Sequence, residues 1–287
     1  IGLIVFDGIR DRRQIAASVR EEARAYSQLA AAVFSQVLED AQETLVAIAE
    51  LPEVREGDGP ACSRRVADLL RRSRYFENGG AARQDGQVYC STLPLPLPIA
   101  IDDEPVFGEA LRRGTLAVGT LRISPATGKP SLLLILPVLG AESRPVAVAV
   151  LSLNPRSFDA FADKVRLPSG WILSLADRTG SIFHRSTDGP RRTGERWAMP
   201  PVLEALRGNG MLETAGVDGV RRLYAVQAIA ARPGGEPDFF LRVGMPLDRM
   251  FARTQRHLRN NLLVLAGAAI VALLAAWVGA DVFVLRR

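Results

Sequence analysis

The chain has 287 residues, of which 48% are hydrophobic and 23% charged, a composition that excludes a disordered polypeptide. Lysine and arginine number 36 against 31 acidic residues, and this small excess is scattered without a nucleic-acid-binding motif, so we expect no nucleic-acid partner. The two cysteines and two histidines form no cluster at metal-ligand spacing, and we therefore expect no metal and no cofactor.

Apolar segments lie near both ends of the chain. We expect residues 1–6 to be the end of an N-terminal transmembrane segment, with a signal-peptide remnant as the alternative. Residues 262–280 carry no charge and are long enough to cross a bilayer, so we expect a transmembrane helix over 261–285, preceded by a juxtamembrane helix over 246–260. Four arginines before this segment would by simple count place the preceding domain in the cytoplasm, but long domains translocate largely regardless of charge.

A long helix is the first element predicted after residue 6. Apolar residues recur at a spacing of three or four from Tyr26 to Ile48, and Pro52 breaks the pattern. At 1.5 Å per residue, a helix over 9–51 is about 60 Å long, more than one small domain can cover. We therefore expect a spine helix, assigned to residues 7–58, that lies alongside two domains.

The residues after the spine predict a second helix over 60–75 and then short strands joined by turns. Strands are expected at 81–84, 87–92, 115–123, 131–138 and 145–153. A short helix interrupts this series after the second strand, and Asp102 or Asp103 can cap it. Pro105 suits its first turn and Gly114 its end.

The same order of elements recurs in the second half. Helices are expected at 155–166 and 202–207, and strands at 171–175, 181–185, 210–215, 221–230 and 239–243. This repetition of helix, two strands, helix and three strands indicates two related α+β units. We assign them to a subdomain over 59–154 and a second over 155–245.

Cys62 lies in a predicted helix and Cys90 at the end of a predicted strand. An isolated pair in an exported domain predicts one disulfide. Closing a loop of about thirty residues would stabilise the fold by roughly 3 to 4 kcal/mol in the chain-entropy model. The alternative is a pair of unrelated buried thiols.

Several short motifs stand in the same order as in a known family. They are Tyr75-Phe76, 85–91, 102–107, 127–131, Pro137-Val138, 145–153, 167–170 and 177–180. In these motifs the chain resembles the double Cache sensor domains of bacterial receptors. The resemblance implies an α+β fold in which a long N-terminal helix carries two stacked, PAS-like antiparallel sheets of five strands, followed by a transmembrane helix.

The resemblance also implies a function and a location. It describes the chain as the small-molecule sensing domain of a receptor in the bacterial inner membrane, with the sensing domain in the periplasm or extracytoplasmic space. The expected parent is a sensor histidine kinase, with a diguanylate cyclase or a chemoreceptor as alternatives. We expect a homodimer along the spine helix, because transmembrane signalling requires one and the helix has uncommitted faces.

A ligand pocket in the membrane-distal sheet is part of the same implication. Its expected lining is Phe76, Phe107, Arg122, Lys129 and Ser131, whose aromatic walls and cations suit a small carboxylate. The alternative assigns the two phenylalanines to the core, the arginine to a solvated strand and the lysine to a hairpin tip. Many family members read Asp-Arg-x-Tyr-Phe where this chain reads Asp-Glu-Pro-Val-Phe at 103–107, so the usual basic and tyrosine contacts are missing.

We expect no catalytic site in this chain. His184 and His257 stand apart from any carboxylate or cysteine at ligand spacing, and no serine lies in a Gly-x-Ser-x-Gly elbow. Two alternatives to a ligand sensor stay open. One is a membrane-anchored protein-interaction module without a small-molecule ligand, and the other is an exported, membrane-tethered hydrolase.

Overall fold

A computed structural model describes residues 2–71, 73–95, 98–140, 144–247 and 267. It does not describe the side chains of residues 2–15, 156, 157, 159, 160, 189 and 190. Almost all of the predicted transmembrane helix over 261–285 and of the juxtamembrane helix over 246–260 lies outside these residues. None of the helices in the described part of the chain is both long enough and apolar enough to span a membrane.

Residues 20–245 form one compact unit that holds both sheets. Residues 1–19 and 246–287 group separately as a second unit. From the second unit the structure describes the helical backbone of residues 2–19, together with Pro246, Leu247 and Gly267.

The spine is a single helix, α1, Gly2–Glu50, of 49 residues. Its buried apolar side chains lie along one face, mostly three or four residues apart, as the apolar pattern predicted. They are Ala23, Ala30, Phe34, Val37, Leu38, Ala41, Leu45 and Ile48. A short helix α2, Pro52–Glu56, follows because proline is tolerated in a first helical turn, where its missing N–H has no partner to lose.

The first half of the unit contains two helices and six strands. These are α3 (Gly59–Leu70), β1 (Phe76–Arg83), β2 (Val88–Ser91), α4 (Pro105–Arg113), β3 (Ala117–Val118), β4 (Arg122–Ile123), β5 (Pro130–Leu139) and β6 (Pro145–Leu153). The strands form one antiparallel sheet in the order β2-β1-β6-β5-β3, and β4 also pairs with β5. This sheet therefore has six strands rather than five.

The additional strand arises because the segment predicted as one strand over 115–123 is divided. Val118 of β3 pairs with Leu134, and Arg122 of β4 pairs with Ser131 further along the same strand. Between them, the N–H of Leu121 donates to Asp177 Oδ2 in the second half, at 2.8 Å. The pairing with β5 also shifts by one residue between the two short strands, because Val118 pairs with Leu134 and Arg122 with Ser131.

The helix α4 begins and ends close to its predicted limits. Gly114 follows it in a left-handed conformation, with φ 65°, and donates its N–H to the carbonyl oxygen of Ala110. The predicted cap is wrong, because the N-cap residue is Glu104 and not Asp102 or Asp103, and its side chain makes no capping hydrogen bond.

The second half repeats the first. After a 3-10 turn at Pro155–Phe158 come α5 (Asp159–Val165), β7 (Ile172–Asp177), β8 (Ile182–Arg185), α6 (Gly189–Arg192), α7 (Met199–Arg207), β9 (Met211–Ala215), β10 (Arg221–Ile229) and β11 (Phe239–Pro246). Its five strands are ordered β8-β7-β11-β10-β9, which is the order of the first sheet without β4. The predicted repeat is confirmed, and only the four-residue helix α6 was not predicted.

An aromatic cluster joins α1 to the second sheet. The ring of Phe34 is completely buried and lies 5.0 Å from that of Phe239, centre to centre. Phe158, Phe161 and Phe183 complete the cluster, with ring centres 5.6 to 6.1 Å from Phe34. Such tilted and edge-to-face pairs add to the stabilisation from burial itself.

Cys62 of α3 and Cys90 of β2 form a disulfide, with their Cα atoms 5.8 Å apart. The prediction of one bond is confirmed, and the alternative of two separate thiols is not. The bond fastens α3 to β2 at the edge of the first sheet.

Candidate functional site

A cavity of about 260 Å³ opens beside the first sheet, where the segment before α4 faces β4 and β5. Its wall combines opposite charges, hydroxyl groups and apolar side chains. The polar residues that line it are Asp103, Glu104, Thr120, Arg122, Ser124, Ser131 and Ser152. A concave, largely apolar site with a few convergent polar groups is typical of small-molecule binding, and this volume suits a small ligand.

A charge pair stands at one side of the cavity. Arg122 Nη1 lies 3.1 Å from Glu104 Oε2, with the arginine side chain 49% exposed and the glutamate 20%. Burial raises the pKa of Glu104, and the neighbouring charge and hydrogen bond of Arg122 oppose that effect. Asp103 adds a second negative charge that also raises the pKa of Glu104. The wall therefore offers one cation and two carboxylates to a ligand.

Two serines lie on the sheet beneath this pair. Ser131 of β5 and Ser152 of β6 are both buried, and Ser131 Oγ donates to the carbonyl oxygen of Leu153 at 3.3 Å. Alternate residues of a strand share one face, so Ser131 lies on the same side of β5 as Leu133, which also lines the cavity. The floor of the site is thus part polar and part apolar.

The structure brings two of the five predicted pocket residues to this cavity. Arg122 and Ser131 line it. Phe107 is buried in an apolar cluster between α4 and the sheet, together with Ile135 and Val148. Phe76 is half-buried at the start of β1, opposite Leu153.

Lys129 occupies the exposed turn before β5. Its Nζ lies 4.0 Å from Glu77 Oε1, with the lysine side chain 60% exposed. Neither this lysine nor the two phenylalanines is among the described residues that line the cavity.

The sequence-based prediction missed the acidic residues Asp103 and Glu104 and the hydroxyl of Ser152. A usable signal was present for each. The two acidic residues precede Pro105 at a helix start, and Ser152 interrupts an otherwise Val, Ala and Leu strand that was predicted correctly. A polar residue inside a buried strand indicates a bonded or functional group.

The second sheet contacts the segments that carry this site. Asp177 is completely buried, and its Oδ2 accepts the N–H of Leu121, the residue next to Arg122. Arg178 Nη1 donates to Glu109 Oε2 of α4 at 3.3 Å, and Arg178 Nη2 donates to the carbonyl oxygen of Val118. The β7–β8 turn is therefore bonded to α4, to β3 and to Leu121, the residue that precedes β4.

Within the described ranges, no three His, Cys, Asp or Glu side chains come together as a metal site.

The comparisons with known proteins give a result only at the level of structure. No model of a protein family matches the sequence, and no match is found among curated proteins. One similar solved structure is the extracellular domain of a candidate histidine kinase, rpHK1S-Z16. It has a TM-score of 0.68 at 17% identity, and the match covers 81% of this chain and 96% of that one.

The chain has the fold of extracellular sensor domains. Two further structures with this sensor-domain fold are ligand-binding domains of chemoreceptors. The domain of Pseudomonas fluorescens CtaA, in complex with L-isoleucine, has a TM-score of 0.63 at 15% identity, covering 85% of this chain and 98% of that one. That of Pseudomonas aeruginosa PAO1 PctB, in complex with L-Arg, has a TM-score of 0.63 at 14% identity, covering 82% and 98%. The fold is the one that the resemblance to double Cache domains implied.

Proposed function

We propose that this chain is the extracytoplasmic small-molecule sensor of a bacterial transmembrane receptor. The observation that carries the proposal is the charged cavity on the first sheet of a sensor-domain fold, with Arg122 and Glu104 side by side in its wall. A protein-interaction module would not need a concave site with convergent polar groups.

The ligand we propose is small and carries a carboxylate. The guanidinium of Arg122 can hold a carboxylate through two parallel hydrogen bonds. An α-amino acid would also place its ammonium group near Glu104 or Asp103, which face the same cavity. The chemoreceptor domains of this fold that were solved with L-isoleucine, L-serine or L-leucine support this class of ligand.

The signal would leave the site through its contacts with the second sheet. A ligand that draws Arg122 away from Glu104 changes the start of α4 and the strand β4. Those elements are bonded to Asp177 and Arg178 of the β7–β8 turn. Differential affinity for two arrangements of these contacts is what would shift the receptor between states.

We further propose the setting of the domain. The signal would pass through the helix predicted at 261–285 in the inner membrane to a cytoplasmic histidine kinase. The chemoreceptors among the similar structures support the alternative of a chemoreceptor parent, and a diguanylate cyclase is a further alternative. Leu29 and Val46 of α1 stay 48% and 39% exposed, which supports a homodimer along the spine helix.

A ligand screen on the full chain tests the proposal. Thermal unfolding is followed with amino acids, small carboxylates, purines and polyamines. A ligand at a hundredfold excess over its dissociation constant should add about 2.7 kcal/mol to the free energy of unfolding. The stabilisation by the active compound should be lost in Arg122→Ala.

The matched control is Arg71→Ala, which removes an exposed arginine paired with Asp68 on the surface of the first half. It should leave the response to the ligand unchanged. A panel without any active compound would favour the protein-interaction module. An equal response in both variants would show that the compound binds away from Arg122 and would overturn the proposed site.

A further inference from the structure

Three arginines are buried in the second sheet, on the face covered by α7. Arg185, Arg222 and Arg242 are 1%, 6% and 3% exposed. Alternate residues of a strand share a face, so Arg222 lies beside Tyr224, and Arg242 beside Phe240, both of which pack in the cluster beneath α7. The equivalent face of the first sheet, which packs against α4, carries the cavity at Arg122.

Only one largely buried carboxylate accompanies these arginines in the described part of the chain. Asp218 Oδ2 lies 2.7 Å from Arg185 Nη2 and 2.7 Å from Arg222 Nη2. The hydrogen bond from Arg222, supported by Arg185, holds the pKa of Asp218 well below its ordinary value. The one other partner, Asp188, is 54% exposed and stands 3.6 Å from Arg185 Nη1. The positive charge of the cluster exceeds the buried negative charge.

Among the described residues, no carboxylate forms an ion pair with Arg242. Its guanidinium lies 3.9 Å from the centre of the Trp197 ring and 4.4 Å from that of Tyr224. Its Nε is buried without a hydrogen-bond partner among the described residues. Burial lowers the pKa of Arg242 to about 10, and the nearby charges of Arg185 and Arg222 act in the same direction. Tyr224 and the negative charge of Asp218 oppose this lowering, but Asp218 pairs with Arg185 and Arg222, so the buried charge of Arg242 is only partly compensated.

The unpartnered donors form a row across three strands. Ser174 of β7 is the register partner of Arg242 on β11 and also of Arg185 on β8, so the three side chains are neighbours on one face. Ser174 Oγ, Arg185 Nε and Arg242 Nε are all buried without a hydrogen-bond partner in the described structure. Buried polar atoms are rarely left in this state, and here three of them lie together.

We propose that this row is a second ligand site, which binds a small oxyanion, either a carboxylate or a phosphate. The guanidinium of Arg242 is the main contact, Arg185 and Ser174 contribute further donors, and the rings of Trp197 and Tyr224 frame the site. Guanidinium groups match both oxyanions in geometry and charge, and the anion supplies the negative charge that the cluster lacks. The site is separate from the cavity at Arg122 and does not depend on the function proposed for that cavity.

The test measures the thermal stability of the full chain at constant ionic strength. Chloride is replaced stepwise by acetate in one series and by inorganic phosphate in another. We expect a saturable rise in Tm with at least one of the two probes, and the active probe identifies the oxyanion. Arg242→Met should weaken its apparent dissociation constant by roughly tenfold or more, the usual effect of losing charged hydrogen bonds.

Two controls accompany the variant. Arg221→Met changes an arginine of β10 that precedes the buried Arg222. Its side chain is 70% exposed and paired with Glu213, so the variant should leave the response unchanged. Arg242→Met itself should be at least as stable as the parent chain without the probes, because it removes a buried charge that is only partly compensated. That comparison separates a lost site from a damaged fold.

Several outcomes would overturn the inference. One is a rise in Tm that does not saturate with either probe. Another is the same apparent dissociation constant in Arg242→Met as in the parent chain. A third is a response lost in Arg122→Ala but kept in Arg242→Met, since the anion would then bind at the first sheet.

Discussion

Leu121 donates its main-chain N–H to Asp177 at 2.8 Å, and this bond joins the first sheet to the second. The other oxygen of the same carboxylate accepts the N–H groups of Thr179 and Ser181 at 2.9 and 3.0 Å. Asp177 therefore shapes its own turn and holds the neighbouring sheet at the same time.

Replacing Asp177 with Asn should destabilise the chain by about 1 to 3 kcal/mol. An amide has only one oxygen, so either the turn or the Leu121 bond loses its acceptor, and the buried group is left unpaired. Chemical denaturation of the full chain measures the change in the free energy of unfolding.

The repeat supplies a matched control for this variant. Asp85 occupies the equivalent turn of the first sheet, where it is exposed and accepts the N–H of Gln87. Asp85→Asn should change stability by no more than about 0.5 kcal/mol. Equal effects of the two variants would show that the Leu121 bond contributes nothing particular.

The predicted elements whose bounds depend on residues nearby in the sequence agree best with the structure. The strand over 145–153 has its predicted bounds because Pro145 and Pro155 limit a run that is apolar except for Ser152 and Asn154. The helix α4 lies between Pro105 and Gly114 for similarly local reasons. The division of the strand over 115–123 was not predictable from local patterns, because Leu121 in the gap bonds to Asp177, which is 56 residues away in sequence.

The site was predictable only in part, for the same physical reason. Arg122 and Ser131 are polar residues of predicted strands, and both line the cavity. Glu104 reaches Arg122 only because the chain returns across the sheet after the second strand, a tertiary contact that local patterns do not contain. In the sequence, Arg242 is an isolated polar residue in an apolar strand. Its neighbours Ser174, Arg185 and Tyr224 come from three other strands, so local patterns do not reveal them.

Removing the disulfide should lower the free energy of unfolding by about 3 to 4 kcal/mol. The bond between Cys62 and Cys90 closes a loop with a sequence separation of 28 and so limits the unfolded chain. Denaturation of a Cys62→Ala, Cys90→Ala double variant measures the loss. Dithiothreitol should destabilise the parent chain to a similar extent and leave the double variant unaffected; a parent chain insensitive to the reductant would contradict the prediction.

Phe34→Ala should cost about 3 to 5 kcal/mol, because it opens a cavity where α1 meets the second sheet. Four other phenylalanine rings contact this side chain, so the site has little freedom to collapse. Leu69→Ala on α3 is the control, since this residue is 43% exposed and the loss of its side chain should change stability by about 0.5 kcal/mol or less. Denaturation midpoints that shift equally would disprove the proposed role of the cluster.

The pKa of Glu104 predicts a pH dependence of stability. Burial raises this pKa above its ordinary value of 4.5, so the folded state binds the proton more tightly than the unfolded state. The contribution of Glu104 to stability is therefore greatest at low pH and declines as pH rises through the range just above 4.5. Glu104→Gln should remove this part of the decline, and free energies of unfolding measured from pH 4 to 7 should diverge between the two chains. Parallel profiles would show that the proton is not held as described.

The ion pair of Arg122 and Glu104 would affect how tightly the proposed sensor binds its ligand. Because the arginine already has an internal partner at 3.1 Å, an incoming molecule must compete with a group that is permanently present at high local concentration. A neutral compound lacks the negative charge that is needed to replace the Glu104 carboxylate as the partner of Arg122. In the proposed sensor, this competition would raise the ligand concentration needed for half-saturation by about fivefold at most, because a half-exposed ion pair is worth up to about 1 kcal/mol.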